Sequence, residues 1–256
     1  KNSYDVIIIG AGVAGLNCAL NLPRSLSVLL VCKDVPEKSD SYLAQGGICR
    51  MQGDADFESY FEDTMRAGHY ENNPEAVTCM IKESPGVIDG LIRLGVDFAR
   101  NPDGSLAATR EGGHSKKRIC YHEDCTGKEI TAKLMEFVSG LENLEICPET
   151  TLLDLITRKN ECFGAVLSDN KTKAVSTVFA SYTVLACGGI GGIFEHSTNF
   201  RILTGDGVAI CLKRGVAVDN IDYIQIHPTT LYTPQKGVRS FLISESVRGE
   251  GAVLRD

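Results

Sequence analysis

Hydrophobic and polar positions along this chain fall into three successive patterns. The first is a short β-branched segment, Tyr4-Asp5-Val6-Ile7-Ile8-Ile9, continuously apolar from Val6, which predicts a strand buried on both faces of a parallel sheet. Gly10 to Gly15 reads as a turn, Leu16–Leu22 as a helix that Pro23 ends, and Ser27–Cys32 as a second buried strand. Together they predict a βαβ unit. The second pattern has helical spacing, over Asp56–Ala67 and Pro74–Leu94, with Pro85-Gly86 predicting a break in the latter. It follows a loop over 34–54 around Ala44-Gln45-Gly46-Gly47 that is too long for a plain connection. Asn101-Pro102-Asp103-Gly104 is a turn, and 105–125 is polar with little period. Thr126 is predicted to cap a helix running to about Val138, with Glu129 completing a capping box. The third pattern alternates. Leu144–Cys147, Thr151–Ile156, Phe163–Leu167, Val175–Phe179 and Tyr182–Leu185 read as strands of a meander. Gly205–Gly215 returns to a helix after a glycine turn. Residues 220–256 are mixed and stop at Val253-Leu254-Arg255-Asp256 without a closing element, which predicts a truncated chain.

Composition narrows the classes. The 256 residues carry a net charge of −7, with 43% hydrophobic and 23% charged residues. That is globular composition, and the acidic balance gives no general attraction for nucleic-acid phosphates. The longest apolar run, Val6 to Leu16, is about half of the roughly 20 residues that a spanning helix needs. No membrane association is expected. Asp5 ahead of that run, and the lack of a small-residue cleavage site after it, argue against a signal peptide. The ten cysteines are scattered without a C-x-x-C pair. They predict reduced thiols in a cytoplasmic protein and no metal centre.

Gly10-Ala11-Gly12-Val13-Ala14-Gly15 carries the first chemistry, because it follows a buried strand and opens a helix. In that context Gly10 permits the tight turn, Gly12 the approach of backbone to a pyrophosphate, and Gly15 close helix–strand packing. The helix N-terminus supplies N–H groups and positive dipole. An ordinary NAD site expects an acid at the end of the second strand, where this chain has Lys33. Further glycine signals, Ala186-Cys187-Gly188-Gly189 and Thr204-Gly205-Asp206-Gly207, are typical of FAD proteins whose second half returns to the same sheet. Asp206 alone reads equally as a helix cap.

These segments, together with Ser41-Tyr42-Leu43-Ala44-Gln45-Gly46-Gly47, Thr109-Arg110-Glu111-Gly112-Gly113-His114-Ser115, Asp124-Cys125-Thr126-Gly127, His227-Pro228-Thr229 and Arg248-Gly249-Glu250-Gly251, resemble the amino-terminal part of the L-aspartate oxidase family. That family lies within the succinate dehydrogenase/fumarate reductase flavoprotein superfamily. The resemblance covers essentially the whole chain. It implies an α/β fold: a Rossmann-like FAD-binding domain over 1–222 with inserted helices and a β-meander, and the start of a truncated capping domain over 223–256. It implies FAD contacts at Gly10, Ala11, Gly12, Val13, Ala14, Gly15, Lys33, Asp40, Ser41, Tyr42, Leu43, Ala44, Gln45, Gly46, Gly47, Thr151, Gly188, Gly189 and Asp206. Where respiratory relatives carry a flavin-linked histidine, this chain has Asp40, so the flavin is expected to be non-covalent.

The implied reaction is oxidation of L-aspartate to iminoaspartate by hydride transfer to flavin, with oxygen or fumarate as acceptor. This is the first step toward quinolinate and NAD, with a functional link to quinolinate synthase. By resemblance, His227 and Ser244 bond a substrate carboxylate, Glu245 and Arg248 relay protons, and Glu111 selects the substrate ammonium. His114 and His122 read as polar-loop residues. The competing readings are a fumarate reductase or succinate dehydrogenase flavoprotein, against which Asp40 and Glu111 speak, and a catalytically incomplete flavin-binding fragment.

Overall fold

A computed structural model describes residues 2–235, 237–249, 251–253 and 255. Glu250 of the Arg248–Gly251 motif, and Leu254 and Asp256 of the closing run, lie outside the described residues. In chain order the elements are β1 (Ser3–Ile9), α1 (Val13–Asn21), β2 (Val28–Val31), α2 (Asp40–Leu43), β3 (Ile48–Cys49), α3 (Phe57–Ala67), α4 (Pro74–Arg93) and β4 (Ile119–Cys120). They continue with α5 (Thr126–Ser139), β5 (Leu144–Cys147), β6 (Thr150–Arg158), β7 (Glu161–Asp169), β8 (Val175–Leu185), α6 (Asp206–Lys213), β9 (Thr230–Leu231), β10 (Phe241–Leu242) and α7 (Glu245–Gly249). The chain divides into two compact units, Lys1–Leu43 with Leu134–Leu242 and Ala44–Lys133 with Ile243–Asp256.

The first unit is built on a six-stranded sheet in the order β5-β2-β1-β8-β7-β6. β1 is central because its Val-Ile-Ile-Ile run is apolar on both faces, and Ile7 and Ile8 are fully buried. β2 and β8 flank it in parallel. Its main apolar cluster gathers Ile7, Ile9, Leu29, Val31, Leu152, Leu155, Leu167, Val178 and Ile210. Two sequence expectations are corrected here. Leu144–Cys147 is not part of the meander; it pairs in parallel with β2, Val28 against Leu144, at the far edge of the sheet. The helix preceding it gives the chain the crossover that parallel pairing requires. The two expected strands Val175–Phe179 and Tyr182–Leu185 are one strand, β8. Its first half pairs antiparallel with β7 and its second half parallel with β1. The change of partner at Phe179 produces the change of pattern that reads as a break.

The second unit packs α3 against α4 around Tyr60, Met65, Val77 and Ile81, beside the two-stranded β3–β4 ribbon. Asn73 caps α4 by accepting from the Glu75 and Ala76 N–H groups, and Pro74 occupies its first turn. The break expected at Pro85-Gly86 does not occur. Pro85 leaves the Ile81 carbonyl without its helical donor, and the Ser84 hydroxyl donates to that oxygen at 2.7 Å instead. The capping box at Thr126 is also absent. The Thr126 hydroxyl accepts from the His122 N–H at 2.9 Å, and the Glu129 carboxylate accepts from the Asp97 N–H at 3.0 Å. No helix among the described residues is long and apolar enough to cross a membrane.

Candidate functional site

In the first unit, the end of β1 and the start of α1 make a cradle from backbone. Gly10 has φ +114°, and a Cβ there would stand 2.1 Å from the Ala186 carbonyl oxygen. The turn is therefore pressed onto the end of β8, where the Ala186 N–H donates to Ile9 O at 2.7 Å. A Cβ on Gly15 would stand 1.8 Å from Gly10 O, so α1 stacks directly on the turn. Gly12 begins α1 with no side-chain cap, and the Val13 N–H donates to Ser41 Oγ at 3.1 Å. The helix end is left as a group of N–H donors, the arrangement that binds phosphate.

This turn opens on a cavity of about 280 Å³. Ala11, Gly12, Val13, Ala14, Cys32, Lys33, Asp40, Ser41, Thr150, Leu152, Gly188 and Asp206 are among its lining residues. Burial pushes the Cys32 thiol up to about 12, so it contributes no charge. Lys33 donates to Asp206 Oδ2 at 2.6 Å, Thr204 Oγ1 at 2.6 Å and Ile202 O at 3.1 Å. The Asp206 carboxylate is thereby turned to Lys33 and the Thr204 hydroxyl, and does not cap α6, which corrects the capping alternative. Thr150 and Leu152 face the cavity, whereas Thr151 donates to Asn170 at 2.8 Å. Tyr42 and Leu43 follow Ser41 on α2 and are not among the lining residues. Asp40 accepts from the Phe200 N–H at 3.0 Å; burial raises its pKa against that bond and the nearby Arg239. Asp40 and Gly189 also line a second cavity of the same unit, about 690 Å³, with His227. His227 Nδ1 is turned to Thr229, 3.0 Å from its carbonyl oxygen and 3.2 Å from its backbone nitrogen.

In the second unit, the Ala44–Gly47 segment is fixed by close approach. The Gly127 N–H donates to Ala44 O at 2.9 Å, and a Cβ on Gly47 would stand 2.3 Å from Cys120 O. Glu111 Oε1 accepts from the Gly47 N–H at 3.3 Å, and a Cβ on Gly46 would stand 3.3 Å from Glu111 Oε2. Gln45 Oε1 is buried with no hydrogen-bond partner. Glu245 and Arg248 form an i,i+3 ion pair on α7, and Glu245 Oε1 lies 3.4 Å from where a Gly112 Cβ would stand. Ser244 directly precedes this helix and is half-buried.

His114, which reads in sequence as a polar-loop residue, belongs to a buried ionic cluster. Arg118 is fully buried and grips Asp56 with Nε (3.2 Å) and Nη2 (2.9 Å). Its Nη1 reaches Asp63 Oδ2 at 2.7 Å and His114 Nδ1 at 3.1 Å. Burial alone would push Asp63 up, but the Ser115 N–H and Arg118 hold its carboxyl well below the usual range. Burial, then Arg118, lowers His114. Sequence reasoning missed Asp56, Asp63 and Arg118. A signal was present: Asp56, Tyr60 and Asp63 share one helical face, and acids on a buried face require a cation.

The donor-lined glycine turn fits a dinucleotide pyrophosphate, and the orphaned Gln45 oxygen fits a bound donor such as a flavin edge. Comparison with known proteins agrees. The family described as FAD binding domain matches residues 5–256. L-Aspartate oxidase of Clostridium perfringens is 42% identical over 254 residues, and that of Clostridium acetobutylicum is 45% identical over 250 residues. These alignments cover 99% and 98% of this chain and 57% of each relative, so the chain spans little more than half their length. Among solved structures, an E. coli quinol fumarate reductase FrdA variant superposes with a TM-score of 0.91 at 29% identity, over 97% of this chain and 42% of that one. Mycobacterium smegmatis Sdh1 superposes with a TM-score of 0.87 at 33% identity, over 100% and 46%. A glycine turn shaped by backbone contacts, opening on a cavity at the ends of parallel strands, and a family match over nearly every residue lead to one assignment: the chain belongs to the FAD-binding domain family.

Proposed function

We propose that this chain is the flavin-binding part of an L-aspartate oxidase, acting on the amino acid through Glu111. The observation that carries the reading is the Glu111 carboxylate, fixed beside the Gly46-Gly47 backbone within Arg110-Glu111-Gly112-Gly113-His114-Ser115. A positioned carboxylate favours a substrate ammonium and discriminates against a dicarboxylate that lacks one. His227 bonds a substrate carboxylate. Its Nδ1 is turned to the Thr229 backbone, so Nε2 is the nitrogen left to meet the substrate. Ser244 supplies a second donor, and the Glu245–Arg248 pair passes protons.

The glycine turn, Lys33, Ser41, Gly188 and Asp206 would hold FAD, and Ala44–Gly47 are further candidate contacts. Tyr42, Leu43 and Gly189 complete those loops, and backbone near Thr151 borders the adenine end. Bound FAD supplies a two-electron acceptor for the α-C–H bond of the substrate, and oxygen or fumarate reoxidises it. Asp40 cannot make the histidyl link of respiratory relatives, so binding is non-covalent. Residues 1–222 serve the cofactor, and 223–256 begin the substrate cap. The product, iminoaspartate, feeds quinolinate synthesis in the cytoplasm. The second reading, a fumarate reductase or succinate dehydrogenase flavoprotein, draws on the structural likeness to those subunits.

The test uses the full-length protein. Glu111→Gln should lower kcat/KM for aspartate by about 10- to 150-fold, the worth of a charged contact of roughly 1.5–3 kcal/mol. Fumarate reduction should change far less. His227→Ala should damage both reactions, because both substrates present carboxylates. Equal losses in both reactions for Glu111→Gln would sink the amine reading.

A further inference from the structure

Glu111 sits on a turn of small residues. Gly112 and Gly113 follow it, Gly113 has φ +86°, and the turn closes through a His114 N–H bond to Glu111 O at 3.3 Å. Upstream, the Thr109 backbone pairs with Ile119, its N–H donating to Ile119 O at 3.0 Å; downstream, the turn is tied by side chains. Ser115 gives both its N–H and its hydroxyl to Asp63 Oδ2, each at 2.7 Å. That oxygen also accepts from Arg118 at 2.7 Å, and Arg66 holds Asp63 Oδ1 at 2.7 Å. Arg118 in turn uses its whole donor set: two bonds to Asp56, one each to Asp63 and His114, and one to Ser59 Oγ at 3.0 Å. Its guanidinium carbon lies 4.8 Å from the centre of the Tyr60 ring. Because arginine has no lone pair to offer, His114 Nδ1 must accept, and Nε2 carries the ring proton toward Cys49 Sγ at 3.5 Å.

A buried ion network of this kind is an expensive way to stabilise a fold, since two carboxylates and a guanidinium lose water. Its geometric effect is specific. It fixes Ser115 and His114, four and three residues from Glu111, onto the rigid face of α3. We propose that Asp63 and Arg118, acting through Ser115 and His114, are positioning residues that hold the Glu111 carboxylate for amine recognition and so set selectivity for an amino acid over a plain dicarboxylate. The inference rests on the reading of Glu111 given above. Positioning of a reacting or recognising group within a fraction of an ångström is worth a substantial rate factor.

The experiment compares aspartate oxidation with fumarate reduction in the full-length, FAD-loaded protein. Ser115→Ala removes one of the two bonds to Asp63 and leaves the ion network intact; Ser115→Thr keeps the hydroxyl. Ser115→Ala should lower the ratio of kcat/KM for aspartate to that for fumarate by roughly 5-fold, mainly through KM, and Ser115→Thr should restore it. Asp63→Asn should lower the ratio further, with bound flavin per chain unchanged. If Glu111→Gln shifts the ratio but neither Ser115→Ala nor Asp63→Asn does, positioning is refuted while amine recognition stands. If Glu111→Gln leaves the ratio unchanged, amine recognition is refuted and the positioning role with it. Equal loss in both reactions for Ser115→Ala, unrestored by Ser115→Thr, would reduce the cluster to a structural one.

Discussion

The glycine cradle of the first unit and the Glu111 turn of the second both hold functional groups in place, by opposite means. The cradle is made of backbone: Gly10, Gly12 and Gly15 work by lacking a side chain, and each is pressed against a neighbour that a Cβ would meet. The Glu111 turn is held at its downstream end by side chains: Asp56, Asp63 and Arg118 come together across 55 to 62 residues of chain. A site of the first kind fails by steric overlap and a site of the second by an uncompensated charge. The two should therefore respond differently to substitution, to pH and to conservative replacement.

The largest effect is expected for Arg118→Ala. It takes from two buried carboxylates their one buried cation, leaving Asp63 only Arg66 and Asp56 only Lys116, both half-exposed, which costs about 3–5 kcal/mol. Urea unfolding should show it, and no single lysine should restore the fork to Asp56. The same cluster predicts an acid limit. Asp56 and Asp63 have depressed pKa values in the folded protein. Their contribution is complete above the unfolded carboxyl value of about 4 and is lost as pH falls below it. The urea midpoint should drop steeply below that pH in the parent protein and much less in Asp63→Asn. A parallel acid dependence in both would argue that other carboxylates dominate.

Gly15→Ala should come next. The added methyl overlaps Gly10 O, so α1 must move off the turn, at a cost of about 1–3 kcal/mol. FAD affinity should fall more than stability does, because the displaced helix end is the phosphate site. A variant with normal FAD affinity and intact stability would show that the turn has slack that the geometry denies. The smallest effect is expected for Lys33→Met. Lys33 and Asp206 are each about one-third exposed, so their pairing is worth about 1 kcal/mol or less. FAD affinity should fall by less than roughly 10-fold, with no gain of NAD binding in a titration. A loss as large as that of Gly15→Ala would put the centre of the cofactor site at Lys33 instead of at the glycine turn.

The parts of the fold whose physics is local can be read from the residues alone. The β1–α1–β2 unit was legible because a continuous β-branched run, a glycine spacing and a terminating proline act within about thirty residues. The cofactor class followed from the same turn together with Lys33 and the distant glycine signals. The rest depends on contacts between residues distant in the chain. Which sheet edge β5 joins, and whether 175–185 is one strand or two, depend on partners far away in the chain. The continuity of α4 through Pro85 depends on where the Ser84 hydroxyl points. The change of His114 from loop residue to network member depends on Arg118 meeting acids 55 and 62 residues upstream. Such contacts leave at most a weak mark in the sequence, an acid on an apolar helical face. A charge pair becomes necessary only once folding has excluded water from both partners, and their separation along the chain carries no trace of that exclusion.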